Sequence, residues 1–124
     1  MNAVIISASN TAGQTLQDYI KTPEGTKFIQ SLLALAQSSI GFEGQDINPT
    51  TAQIRFDSVE HLAAFITGAK DLLASGIDSI KKYFGALGTY SLSVSIVHQW
   101  PTGKTGIYVL EDATIANNYH LQST

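Results

Sequence analysis

His61, His98 and His120 carry the most versatile side chains of this sequence. An imidazole can ligate a metal, or take and give a proton near neutral pH. Metal-binding pairs need a spacing of three or four on a helix, or two on a strand. These three lie 37 and 22 residues apart, and no metal site is expected. His61 falls in a first helical turn beside Glu60, where exposure is the ordinary use of a histidine. His98 stands in an apolar row between Ile96 and Trp100. As a structural residue it would be a neutral, hydrogen-bonded histidine at the core rim. As a functional one it would be a ligand-site residue with Asp57, Glu111 or Asp112 as its acid partner, and spacing selects none of these.

Other chemistry is scarcer. Gly103-Lys104-Thr105 has the outline of the end of a phosphate-binding loop, but that motif needs glycine at position 98, which is His98. It must also run into a helix, whereas Val109 and Leu110 continue a strand; the segment reads as a hairpin turn. Serines are plentiful, yet none sits in a Gly-x-Ser-x-Gly elbow. Glu43, Asp46, Glu111 and Asp112 are separate acids rather than a sequence-local pair. With no cysteine, thiolate catalysis, disulfides and Cys-ligated zinc are excluded. No catalytic residue is nominated and no cofactor is expected. Trp100 and Tyr108 flank the turn and Tyr90 opens the strand that leads to it; amphipathic aromatics of this kind suit protein interfaces.

Composition favours a binding role. The chain has 124 residues, enough for one domain spanning 1–124. It is 44% hydrophobic but only 14% charged, against the ~25% typical of soluble domains. Seven basic residues against ten acidic ones, with Lys81-Lys82 the one adjacent basic pair, leave no footprint for nucleic acid. A surface built from Ser, Thr, Gln and Asn at net charge −3 offers little mutual repulsion. A protein partner or homo-oligomer is the expected company. No apolar run approaches the ~18 residues of a membrane span. Val4-Ile5-Ile6 reads as a first strand rather than the core of a signal peptide, so a cytoplasmic setting is expected.

The elements follow from periodicity. Ala3 to Ala8 reads as a strand, and Leu16, Tyr19 and Ile20 as a short helix. Thr22-Pro23-Glu24 opens a second helix, with Thr22 as cap and Pro23 in the first turn; Phe28, Leu32, Leu35 and Ala36 form its face and Gly41 its stop. Phe42 to Thr51 reads as a long loop, and Phe42 and Asp46 are ligand-site candidates there with His98. Ala52 to Phe56 alternates as a strand. Asp57-Ser58-Val59-Glu60, with Asp57 as the cap and Glu60 three residues later, opens a helix running to Leu73; Ser75-Gly76 breaks it, and Ile77 to Leu87 forms another.

Tyr90 to Trp100 alternates over the whole run apart from Val97, and Ile107 to Leu110 pairs with it antiparallel. The fold expected is α+β: a two-layer sandwich of about four strands, with three to four helices on one sheet face.

The stretch from Phe65-Ile66-Thr67-Gly68 through Gly76 to Leu87, then Ser91 to Val97, Pro101-Thr102-Gly103-Lys104 and Ile107 to Val109, resembles the effector-associated α/β domains of bacterial conflict systems. The likeness covers about a third of the chain. It implies a non-enzymatic adaptor coupling a sensor to an effector. A small enzyme or small-molecule binder, with its site near His98 and the 42–51 segment, is the competing expectation.

Overall fold

The computed structural model describes residues 2–86, 88–99 and 105–110. Leu87, Trp100, residues 101–104 where a turn is expected, Glu111, Asp112 and His120 lie outside the described residues.

Strand β1 (Asn2–Asn10) forms the middle of the sheet. Its alternation sends Val4, Ile6 and Ala8 into the core and leaves Ile5 and Ser7 half-buried on the opposite face. Helix α1 (Leu16–Ile20) starts where the Thr15 N–H donates to Asp18 Oδ2 at 3.0 Å. Helix α2 (Pro23–Gln37) begins as its sequence dictates. Thr22 Oγ1 accepts the Gly25 N–H at 3.0 Å, and Pro23 occupies a position whose N–H would have no partner. The helix stops at Ser38, and Gly41, at φ +85°, turns the chain three residues further on.

Two expectations are corrected here. The 42–51 segment is not a loop: it is strand β2 (Phe42–Ile47) and a tight turn into β3 (Thr51–Phe56). Asn48 closes that turn, its Oδ1 accepting the Thr51 N–H at 3.0 Å. β2 is an edge strand with a bulge between Phe42 and Gly44, so it needs no apolar alternation to hold its register.

The second correction concerns the helices that follow. α3 (Val59–Gly68) ends at Ala69, and α4 (Lys70–Gly85) runs unbroken through Ser75 and Gly76. Gly76 is buried against α2, and a Cβ there would overlap the Phe28 ring. Its role is close helix packing rather than helix termination.

Strand β4 (Tyr90–Gln99) and strand β5 (Thr105–Leu110) complete a five-stranded sheet in the order β2-β3-β1-β4-β5, every neighbouring pair antiparallel. β1 and β2 are thus parallel with β3 between them, and β3 and β4 are parallel with β1 between them. This is the split β-α-β-β-α-β connectivity, with β5 added at one side. The fold is α+β in two layers.

The core lies between the layers. Ala52, Ile54 and Phe56 of β3, with Val94 and Ile96 of β4, join the inward row of β1. From the helices come Leu32, Leu62, Leu73, Ile77 and Ile80, all almost fully buried. Phe56 and Phe65 lie 4.9 Å apart between ring centres. Tyr83 meets Phe84 edge to face at 5.1 Å. No described helix is long and apolar enough to cross a membrane.

Candidate functional site

The residues nominated from sequence sit in separate places. Phe42 packs edge to face on Phe56, with centroids 6.2 Å apart, and closes one end of the core. Asp46 is 65% exposed and ion-paired with Arg55 of β3. His98 lies on β4, in register with Gly106. Strands β3 and β1 separate β2 from β4, a span of about 14 Å at ~4.8 Å per strand step. Phe42, Asp46 and His98 therefore do not converge. Of the interface candidates, Tyr90 is half-buried against the core near the end of α4, where Gly85 leaves room for its ring. Tyr108 is in register with Ile96 of β4. Trp100 lies outside the described residues.

The acid–histidine contact that does form involves His61. Its Nδ1 lies 2.5 Å from Asp57 Oδ1, with the two side chains 38% and 47% exposed. The hydrogen bond with His61 holds the Asp57 carboxyl below its usual range. Ser58, not Asp57, caps α3, its Oγ accepting the His61 N–H at 3.2 Å. That shift of the cap by one residue leaves Asp57 for the imidazole. Gly41 lies directly against the pair, and any Cβ there would overlap both side chains. The Asp57-to-His61 spacing of four was readable in the sequence as one helical turn.

A shallow groove of about 270 Å³ runs between α2 and α4, with Phe28, Leu72 and Gly76 at its base and Glu24 and Lys27 on its rim. Tyr19 is buried at its inner end and bonds Ser79 Oγ at 2.9 Å. Burial pushes the Tyr19 phenol up, against the opposing effect of that hydrogen bond.

Among the described residues the other face of the sheet has no helix packed on it. The described core draws on one face, so the alternate residues of each strand form a second one. Across β1 and β4 the register places Ser9 against Ser91, Ser7 against Ser93, Ile5 against Ser95 and Ala3 against Val97. On the other side of β1, Ile5 meets Gln53 and Ser7 meets Thr51. Among the described residues the charges on this face are Arg55 of β3 and Asp46 of β2, and they pair with each other. On β1 and β4 its side chains are short apart from Ile5 and Val97.

The serine hydroxyls of β1 and β4 have no acid or imidazole among their register partners to activate them. Among the described residues no group of three His, Cys, Asp or Glu side chains could hold a metal ion. Half of this surface was legible as the serine row of β4. The other half, Ile5-Ser7-Ser9, was hidden because only pairing reveals that β1 lies beside β4.

Comparison with protein-family models, with curated proteins and with solved structures returned no match to this chain.

Proposed function

We propose that this chain is a non-enzymatic protein-interaction module whose contact surface is the open face of the sheet. One observation carries the reading: the register rows at the centre of that face, on β1 and β4, hold no charged residue, and no described helix packs on it. Sheet faces that pack on another protein surface need short side chains and few unpaired charges, since each buried unpaired charge costs several kcal/mol or about that order. The low charge density of the whole chain supports the same role. The resemblance to effector-associated domains implies an adaptor, which belongs to the same class.

The test is hydroxyl-radical footprinting inside cells making the protein, compared with the dilute purified chain. Ile5 and Val97, the larger apolar side chains of the face, should be protected in the cell. Ile40, 77% exposed on the turn before β2, should label equally in both. Equal labelling of Ile5 and Val97 in the two settings would overturn the reading.

A further inference from the structure

The groove between α2 and α4 combines an apolar floor with a polar lining of one kind. Phe28 and Leu72 supply the floor, and Gly76 lets the Phe28 ring approach α4, since a Cβ at that position would overlap it. The polar lining is rich in acceptors. Ser75 Oγ donates to the Leu72 carbonyl at 3.1 Å, and the Tyr19 hydroxyl donates to Ser79 Oγ at 2.9 Å. Both hydrogens are committed within the protein, so these two hydroxyls would meet a ligand through their lone pairs. Glu24 adds a carboxylate at the rim, near enough to Tyr19 for its charge to act on the phenol.

We infer that this groove binds a small amphipathic primary amine, its ammonium held by Glu24 and the Tyr19, Ser75 and Ser79 oxygens and its apolar body laid on Phe28 and Leu72. The site belongs to the helical layer and is independent of the proposed contact on the sheet. An ammonium offers three donors and no acceptor, the complement of a lining whose hydroxyl hydrogens are already spent. An aromatic ring face adds attraction for a cation.

A second recess, of about 600 Å³, shares Glu24, Ser75 and Ser79 with the groove and brings Asp78 of α4. The acceptors therefore gather where the two recesses meet, with one carboxylate from each helix. Lys27 and Lys82 also border these recesses and disfavour a second positive charge, so a monoamine fits better than a polyamine. The groove itself, about 270 Å³, lies just below the usual range of small-molecule sites and limits the body to about one ring.

Proton–nitrogen NMR titration of the purified full chain with phenethylamine at neutral pH tests this. Amide shifts should centre on Tyr19, Glu24, Phe28, Ser75 and Ser79, with a dissociation constant of about 1 mM, as suits a ligand this small. Phenethyl alcohol and hydrocinnamate, of similar size but with neutral and negative heads, should bind at least about fivefold more weakly. Glu24→Gln should weaken the amine by about tenfold, the effect of losing a hydrogen bond to a charged group. Lys27→Gln removes one charge from the same rim and should leave the amine bound as tightly or more tightly.

A further variant works from the apolar side. Ser75→Leu, at an exposed position, fills the groove and should abolish the shifts, with a circular dichroism spectrum matching the wild type. Absence of shifts at about 20 mM amine, well above the expected constant, would overturn the proposal. So would shifts centred on the sheet strands, equal binding of the alcohol, or a Glu24→Gln chain that binds as the wild type does.

Discussion

Gly76 and Gly68 are both helical glycines, and their surroundings give them opposite expectations. Replacing glycine by alanine in a helix ordinarily stabilises by up to about 1 kcal/mol. At Gly68 nothing lies within 4 Å of the added methyl, so Gly68→Ala should leave stability unchanged or slightly raised. At Gly76 the methyl would overlap the buried Phe28 ring, and overpacking of this kind costs about 1–3 kcal/mol. The clash outweighs propensity, and Gly76→Ala should lower the melting temperature by several degrees. Asp57 carries a second expectation at this scale. Its folded-state pKa is depressed by the His61 hydrogen bond, so its contribution to stability is present above the unfolded value near 4. That contribution is lost as pH falls through the lower folded value. In urea unfolding, the gap between wild type and Asp57→Asn should be wider at about pH 5 than at about pH 3. A gap that is constant, or that widens in acid, would remove Asp57 from the account of acid stability.

Elements show where the sequence speaks clearly and where it does not. β4 was legible because it is long and half-buried, so its apolar and serine rows alternate. β1 and β3 were legible for the same reason, apart from a residue or two at their ends. β2 was not, because a bulged edge strand with one neighbour carries little burial signal: Glu43, Asp46 and Ile47 are all exposed. The α3–α4 boundary was misplaced because Gly76 serves packing with Phe28, a contact between residues 48 positions apart that no local pattern contains. The cap of α3 was displaced by one residue for a similar reason, since Asp57 and Ser58 are both good caps and only geometry chooses. That choice is testable. Ser58→Ala should cost about 1 kcal/mol through loss of the cap, lowering the melting temperature by roughly 3–6 °C. Were Asp57 the true cap, Ser58→Ala would leave the melting temperature unmoved.

At the scale of the whole molecule, charge decides how the proposed contact should respond to salt. The net charge is −3, and the register rows of β1 and β4 at the centre of the sheet face carry none. Attraction across such a face comes from apolar and hydroxyl contact, which salt screens little. In a lysate of cells making the protein, raising sodium chloride from about 50 mM to about 500 mM should therefore leave Ile5 and Val97 as protected from hydroxyl radicals as before. A contact held by ion pairs would behave in the opposite way, and both residues would label more strongly at high salt. Loss of protection at high salt would assign the contact to the charged margins of the molecule, such as Glu43 on β2 or the Glu24 and Lys27 rim of the α2–α4 groove.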